Sequence, residues 1–398
     1  MVLVSKSIAI LWFTVALNVT GIGLVLPVVP LLFEQFGHQN SPVLHGLFLA
    51  VFAFMQVVCA PVLGTLSDRY GRRRVLLISL AGGTLDYLLM AFAPTLPVLF
   101  LARAISGMTS AVMAVANAYV ADVTPTDQRT RRFGYLASAF GLGFVVGPAA
   151  GGMLGDYSLQ SPFIFAAILN ALNLILVAGW LSESHPAEAP DENPGSSLGP
   201  LAAFRWALRQ RSMIPLLAVY VIVALVGEIG ATVWVLHGQD RYGWNSVQIG
   251  LSLAGLGLFH AAVQAFATGP IGERLGEFRT VLFAVLCDTA ACALLAFASM
   301  SWMAVLLIPL FCLGGVGEPA LLSAMSRQVA EEQQGLLQGV LSSAIALAAI
   351  AGPPVFGTVY MLVRDLHTGA VWLIGAAVYF ACIPILNRAL AVKTTTTT

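Results

Sequence analysis

Four carboxyl groups interrupt long apolar stretches of this sequence, and such groups can carry protons or bind cations inside a membrane. They are Asp86, Glu228, Asp288 and Glu318, and one arginine, Arg103, also lies in an apolar stretch. Asp288 stands in AVLCDTAACALLAF, among apolar and small residues. A carboxylate at the centre of a bilayer costs about 2.5–3.5 kcal/mol on insertion scales. Because burial favours the neutral acid, Asp288 can exchange a proton for a cationic partner; a polar contact between helices is the alternative reading.

The elements that carry these groups are apolar runs long enough to cross a membrane. The chain has 398 residues, of which 58% are hydrophobic and 10% are charged, whereas soluble chains are about 25% charged. A helix needs about 20 residues to cross the apolar core of a bilayer. Runs of that length predict an all-α membrane protein with twelve spans, at residues 7–32, 43–66, 75–94, 97–122, 133–156, 160–181, 213–237, 246–271, 280–300, 302–325, 336–362 and 368–388.

The charges of the connecting loops predict the orientation of these spans. One set of alternate loops, with the two termini, carries 16 of the 19 basic residues; the opposite loops carry only Arg241 and Arg364, and Arg103 lies within a span. Basic residues are retained on the cytoplasmic side of a membrane. Both termini are therefore predicted to be cytoplasmic. The first apolar run exceeds 20 residues, so it is interpreted as a span and not as a cleaved signal peptide.

A repeat divides the chain into two halves. The longest connection, 182–212, is rich in Pro, Ser and Gly and predicts a cytoplasmic linker that ends in a short surface helix. It separates six predicted spans in 1–181 from six in 213–390, and 391–398 form a low-complexity tail. Landmarks of the halves superpose at an offset of 205 residues: Gly64, Asp68, Arg69, Gly71 and Arg74 on Gly269, Glu273, Arg274, Gly276 and Arg279, and Gly147, Pro148 and Gly152 on Gly352, Pro353 and Gly357. Two pseudo-symmetric six-helix bundles are predicted, with a binding site where they meet.

Composition and motifs exclude several classes of protein. Acidic and basic residues number 19 each, so no excess positive charge is available for nucleic acid. Neither of the two lysines, Lys6 and Lys393, follows a glycine-rich loop, which excludes a Walker A nucleotide site. No zinc or disulfide pattern and no nucleophile–base constellation is present, so we expect neither an enzyme nor a bound cofactor or metal. The five cysteines all lie in apolar runs: Cys59, Cys287, Cys292, Cys312 and Cys382.

The loop after the second span reads GTLSDRYGRRR, from Gly64 to Arg74. Its glycines allow a tight bend, and Asp68 can pair with an arginine at a helix end. This string resembles the cytoplasmic loop signature of the major facilitator superfamily. GLGFVVGPAAGG, residues 141–152, is similar to the antiporter motif of its drug/proton exporters. Longer strings, among them LDYLLMAFAP at 85–94 and ATVWVLHGQDRYGWNS at 231–246, resemble the bacterial tetracycline exporters over nearly the whole chain.

The resemblance implies roles for individual residues. Asp288 matches the position that carries the proton. Asp86 matches a carboxylate that handles substrate or proton, and a salt bridge that holds the helices together is the alternative for it. Gln56, His260 and Gln264 match polar positions implied to bind substrate; contacts that only join helices are the alternative.

A charge network is implied in the same way. Asp68, Arg72, Arg103 and Asp122 match a group of charges at the cytoplasmic mouth of the tetracycline exporters. Ion pairs at helix ends can hold one state of an alternating-access cycle and break in the other. A permanent structural pair is the alternative.

Three positions depart from the pattern of those exporters. Asn18 stands where an aspartate is usual, Glu228 replaces a glutamine and Glu318 replaces an apolar residue. An amide does not titrate, so one membrane carboxylate is lost and two are gained. We hypothesise that Glu228 or Glu318 partly replaces the missing charge, or that the cargo differs.

The function implied is proton-coupled efflux of an amphipathic drug through a bacterial inner membrane. The resemblance implies tetracycline, carried as a complex with Mg²⁺ or another divalent cation that enters with the substrate, with the proton gradient as the energy source. One chain suffices for this mechanism. An exporter of another drug, a siderophore or a metabolite keeps the same fold, and a passive facilitator or channel is a further alternative.

Overall fold

The computed structural model describes residues 2–37, 41–125, 128–184, 206–207, 210, 213–330 and 333–396. Their regular structure is helical throughout, and twelve helices are long and apolar enough to cross a membrane. The prediction of an all-α chain with twelve spans is therefore confirmed. Most of the predicted linker 182–212, including most of its proposed surface helix, lies outside the described residues, as do Met1 and the last two residues of the tail.

Contacts between Cα atoms divide the chain into two compact units, each with its own core. Unit 1 comprises Met1–Ser41, Val51–Asn193 and Trp244–Gly257. Its helices are α1 (Val2–Val25), α2 (Val29–Gln35), most of α3 (Pro42–Tyr70), α4 (Arg72–Ala91), α5 (Leu96–Thr109), α6 (Val112–Val123), α7 (Arg129–Tyr157), α8 (Ser161–Trp180) and most of α10 (Ser246–Ala262). Leu11, Leu76, Ala116 and Leu136 are fully buried in its apolar core.

Unit 2 comprises Pro42–Ala50, Pro194–Gly243 and Leu258–Thr398. It holds the start of α3, the end of α10 and a π-helix at Val263–Ala267. Its remaining helices are α9 (Ile214–Tyr242), α11 (Thr268–Leu275), α12 (Glu277–Phe297), α13 (Ser301–Gly314), α14 (Gly317–Ser326), α15 (Gln334–Val363) and α16 (Ala370–Thr396).

The two units differ from the predicted division at 182–212 in two short segments. Within unit 1, a Cβ atom on Gly250 would overlap the carbonyl group of Pro148 in α7. Within unit 2, a Cβ atom on Gly46 would overlap the carbonyl group of Pro353 in α15. Both glycines therefore let backbones touch, as small residues do between membrane helices. Residues 42–50, from the first half of the sequence, therefore pack with unit 2. Residues 244–257, from the second half, pack with unit 1.

The predicted first span, 7–32, consists of two helices. Helix α1 ends at Val25 and α2 begins at Val29, with Pro30 in its first turn. Pro27 and Pro30 lack the backbone N–H that a continuous helix would need. Three other spans also deviate from an unbroken α-helix: the fourth between α5 and α6, the tenth between α13 and α14, and the eighth at the π-helix.

The glycine-rich stretch 141–152 packs α7 against α1. Every fourth residue presents a bare Cα atom to a carbonyl group of α1; the pairs are Gly143 with Ala16, Gly147 with Thr20, and Gly151 with Leu24. The spacing of four residues places these glycines on one face of α7. The stretch that resembles the antiporter motif is thus a close helix–helix contact within unit 1.

We expect Gly151→Ala to destabilise the protein and Gly141→Ala to leave it intact. The new methyl group at residue 151 would overlap the Leu24 carbonyl, whereas nothing lies within 4 Å of the corresponding position at Gly141. Overpacking of this kind typically costs about 1–3 kcal/mol, and alanine in an open helical position gains up to about 1 kcal/mol. Thermal unfolding of the purified variants measures the difference. Equal unfolding temperatures for the two would contradict the packing described here.

Candidate functional site

Asp288 lies near the middle of α12 and is 9% exposed. Its carboxyl group occupies the space beside Gly314 where any side chain would place its Cβ atom. The ion pairs formed among the described residues do not include it. An unpaired carboxylate is costly in such surroundings, and a proton or a cationic partner removes that cost. The geometry therefore suits a group that alternates between proton and cation.

Gln264 and His260 approach the same break in the tenth span from the eighth span. The Gln264 Nε2 atom donates to the Gly315 carbonyl at 3.1 Å, and Gln264 Oε1 accepts from the Thr268 hydroxyl at 3.1 Å. The His260 ring lies 3.1 Å from the position that a Cβ atom of Gly315 would take. Asp288, Gln264 and His260 thus converge on adjacent glycines. Among the described residues, one of the two N–H groups of Gln264 is used, and the other can serve a ligand.

The π-helix that carries Gln264 is a second local irregularity at this place. It covers Val263–Ala267, and within it the chain departs from the regular α-helical hydrogen-bond ladder. Short π-helical turns inside α-helices are frequent at functional sites. The sequence analysis predicted a continuous helix over 246–271, because the apolar pattern alone does not distinguish one helical turn type from another.

Asp86 is fully buried in α4 of unit 1. Its carboxyl group interacts with the charge of Arg103 in α5 and with the Ser106 hydroxyl. The Arg103 guanidinium group lies 4.3 Å from the centroid of the Phe52 ring. Asp86, fully buried, and Arg103, half-buried, therefore form a pair of opposite charges.

Gln56 binds the break in the fourth span much as Gln264 binds the break in the tenth. Its Nε2 atom donates to the Ser110 hydroxyl at 3.0 Å. Ser110 lies between α5 and α6, and the offset of 205 residues places it on Gly315. Both glutamines thus hold the middle of a broken span, although the offset of 205 residues places Gln56 on Ala261 and not on Gln264.

Three of the four residues grouped as a charge network lie together at one end of unit 1. The Arg72 guanidinium group binds Asp68 and also donates from Nε to Asp122 Oδ2 at 3.0 Å. Arg103, the fourth member, lies beside Asp86 and Phe52. Its grouping with the network stays a prediction.

Glu183 joins the network, and the sequence analysis missed it. Its carboxylate accepts hydrogen bonds from the backbone N–H groups of Arg72, at 2.7 Å, and Arg73, at 3.2 Å. It lies against Gly71, whose φ of +98° suits glycine. An acid at the first turn of a helix stabilises the exposed N–H groups there. Glu183 was assigned to the linker, and the only sequence signal was an acid directly after the sixth span.

Unit 2 carries an equivalent pair with the charges reversed. Arg327 Nε lies 2.9 Å from Glu277 Oε1, which also accepts a hydrogen bond from the Ser323 hydroxyl at 2.5 Å. The offset of 205 residues places Arg72 on Glu277 and Asp122 on Arg327. Glu277, Ser323 and Arg327 line a cavity of about 380 Å³ between α11, α12 and α14. This pair was not predicted from the sequence. The repeat was recognised from positions that keep the same residue type or sign of charge in both halves, and here the signs are reversed.

Glu228 and Glu318 both lie in unit 2. The Cβ and Cγ atoms of Glu228 lie 2.6 Å from the position that a Cβ atom of Gly352 would take. Glu318 is exposed in the first turn of α14, and its charge interacts with Tyr220 of α9. Among the described residues, neither glutamate forms an ion pair. Within the described ranges, no three His, Cys, Asp or Glu side chains are grouped to hold a metal ion.

Comparison with known proteins places these features in a wider setting. Residues 11–353 and 239–396 match the family model of the Major Facilitator Superfamily. The chain is 43% identical over 394 residues to the class C tetracycline resistance protein of Escherichia coli, covering 99% of each chain. It is 44% identical over 378 residues to the class G tetracycline resistance protein of Vibrio anguillarum, covering 95% of this chain and 96% of that one.

A solved structure shares the fold at low sequence identity. The nucleoside transporter NupG superposes with a TM-score of 0.80 at 15% identity, covering 96% of this chain and 99% of that one. Such a likeness concerns the architecture alone. The similarities together extend over the spans that carry Asp86 and Asp288 and over the loop from Gly64 to Arg74.

Proposed function

Because this chain belongs to the major facilitator superfamily, we propose that it exports tetracycline in exchange for protons by alternating access. The substrate is named from relatives that are tetracycline resistance proteins and align over 99% and 95% of this chain. The observation that carries the coupling is Asp288, a buried carboxyl group outside any ion pair of the described residues, next to the glycines that Gln264 and His260 approach. The cargo is moved without chemical change, so no catalytic residue is assigned.

Coupling follows from the competition of a proton and a cation for one carboxyl group. With a proton, Asp288 is neutral; without it, the carboxylate needs a positive partner in its apolar surroundings. A tetracycline complex with Mg²⁺ and a single positive charge supplies that partner. The divalent ion arrives with the drug, and the chain needs no metal site of its own. One proton entering for one such complex leaving moves no net charge. The exchange therefore draws on the pH gradient and not on the membrane potential.

The remaining predicted residues have supporting roles in this proposal. Gln264, Gln56, His260 and Asp86 contact the drug, and Asp68, Arg72 and Asp122 form the cytoplasmic latch that holds one state. The chain lies in a bacterial inner membrane with both termini in the cytoplasm, and one chain completes the transport cycle.

Transport by inverted vesicles tests the proposal directly. Tetracycline uptake is measured with an imposed pH gradient, with and without Mg²⁺, and again with a membrane potential alone. We expect uphill uptake that needs Mg²⁺ and the pH gradient. Uptake that only equilibrates the drug would identify a passive facilitator and would end the antiport assignment.

A different amphipathic cargo is the second candidate, and it is favoured by the loss of a carboxyl group at Asn18 and the gain of two at Glu228 and Glu318. The other hypothesis is that Glu228 and Glu318 replace the aspartate that is missing at residue 18. In that case the double variant Glu228→Gln/Glu318→Gln should lose most pH-driven tetracycline export. Single variants serve as controls, since each keeps one of the two carboxyl groups. Undiminished export by the double variant would remove the idea of compensation. Absence of tetracycline export by the unmodified chain would favour the different cargo.

A further inference from the structure

The tenth span is interrupted at Gly315 and Val316. Helix α13 ends at Gly314 and α14 begins at Gly317. Across the interruption the Gly315 N–H donates to the Cys312 carbonyl at 3.1 Å, a shorter step along the chain than an α-helix uses. The Gly315 carbonyl accepts its hydrogen bond from Gln264 of the eighth span. The break thus links the tenth span to a residue proposed to contact the drug.

The other side of this break faces Asp288. Its carboxyl group fills the space at the Gly314 Cα atom. The ionisable groups that interact with it are Cys287 and Cys292 on its own helix, Cys312 of α13 and Tyr379 of α16. Asp288 and Gln264 therefore touch adjacent residues of one irregular backbone segment.

Breaking the helix does not itself require glycine at this place. The equivalent break in the first half, at the offset of 205 residues, carries Thr109 and Ser110. There the Ser110 N–H donates to the Gly107 carbonyl at 3.3 Å, in the same pattern as Gly315. Gly315 also has φ of −60° and ψ of −13°, which any residue adopts. What distinguishes Gly314 is the carboxyl group of Asp288 in the place of a side chain.

We propose that the Gly314–Gly315 segment is a positioning element that couples protonation of Asp288 to the contact of Gln264 with the drug. This inference rests on the proposed drug/proton exchange. Binding or release of a proton changes the contacts that the Asp288 carboxyl group can make at Gly314. The neighbouring Gly315 carbonyl moves with that peptide segment. Gln264 responds through its hydrogen bond to that carbonyl, while Thr268 keeps the orientation of its amide group. The proton and the drug then affect each other's binding by the same factor.

The test compares tetracycline–Mg²⁺ affinity at pH 6 and pH 8 for the purified full chain. The ratio of the two affinities measures the coupling, and we expect at least about a fivefold ratio for the unmodified chain. In Gly314→Ala the new methyl group displaces the Asp288 carboxyl group, so the ratio should fall towards 1 while binding persists. Gly339→Ala is the matched control, since nothing lies within 4 Å of that position in α15. It should keep the ratio of the unmodified chain.

A second pair of variants keeps the inference testable if Gly314→Ala fails to fold. Thr268→Val preserves the shape of the side chain but removes the hydroxyl that holds Gln264, whereas Thr268→Ser retains it. We expect the ratio to fall in Thr268→Val and to be restored in Thr268→Ser. A purely structural role of Thr268 would change stability without changing the ratio.

The outcomes separate the inference from the proposed function. If the unmodified chain does not bind tetracycline–Mg²⁺, or binds it equally at both pH values, the proposed function fails and the inference falls with it. If the unmodified chain shows the coupling while Gly314→Ala and Thr268→Val keep the same ratio, the inference alone is overturned.

Discussion

In Asp288→Asn, addition of tetracycline with Mg²⁺ is expected to release no protons from inverted vesicles. The amide has nearly the shape of the carboxyl group and fits the same space beside Gly314. It cannot carry a proton or balance a cation, so both halves of the exchange lose their shared group. We expect pH-driven uptake to fall to the level of vesicles without the protein, with the unfolding temperature little changed. Fluorescence of a pH-sensitive dye, read beside uptake of labelled drug, measures both effects.

One further variant separates charge from shape at this position. Asp288→Glu keeps the charge but adds a methylene group where Gly314 leaves no spare room. It should slow uptake while each drug molecule still moves a proton. Asp365→Asn is the matched control, because it makes the same chemical change at a side chain that is 91% exposed. Full proton release by Asp288→Asn would end the assignment of coupling to this residue.

The membrane spans were predictable because each depends on a local property, the length of an apolar run. The same holds for the unusual position of Asp288, since a single acid within AVLCDTAACALLAF is visible without any structure. The repeat at 205 residues also extends to the backbone conformation of the two equivalent loops. Gly71 and Gly276 both have positive φ, of +98° and +71°, and both precede the first residue of a span.

What the sequence did not reveal depends on contacts between residues far apart in the chain. Glu183 reaches the N–H groups of Arg72 across 111 positions, and nothing local marks it as a cap. The association of residues 42–50 with α15 depends on Gly46 meeting the carbonyl of Pro353. The end of the first span at Val25 required weighing two prolines against a continuous apolar run. In each case the deciding interaction is tertiary or steric, and hydropathy does not record it.

Arg103→Leu is expected to destabilise the protein more strongly than any other single change considered for unit 1. It removes the positive charge that interacts with Asp86, a fully buried carboxyl group. Breaking a buried pair by removing one member typically costs about 3–5 kcal/mol, because the remaining charge is left uncompensated. The thermal unfolding temperature of the purified protein should fall well below that of Arg274→Leu, the control at an exposed arginine.

The double variant Asp86→Asn/Arg103→Leu distinguishes a structural pair from a transport residue. With both charges removed, no uncompensated charge remains, so most of the lost stability should return. If Asp86 also handles the drug or the proton, transport should not return with it. A double variant that restored both properties would assign the pair to structure alone.

The single variants Asp86→Asn and Arg103→Leu should differ in stability. The difference shows which of the two groups is costly to leave without its partner. In Asp86→Asn the guanidinium group of Arg103 keeps its place over the Phe52 ring at 4.3 Å, which stabilises a cation by about 0.5–2 kcal/mol. In Arg103→Leu the acid loses the charge of Arg103 and keeps only its contact with the Ser106 hydroxyl among the described interactions. Lowering the pH protonates that acid and removes its charge, so the unfolding temperature of Arg103→Leu should approach that of the unmodified protein as the medium is acidified. Asp86→Asn should show no such recovery, because acid does not neutralise an arginine. If the unfolding temperature of Arg103→Leu stays equally low at every pH, the loss of stability comes from lost packing of the arginine side chain. The uncompensated carboxylate of Asp86 would then not be its cause.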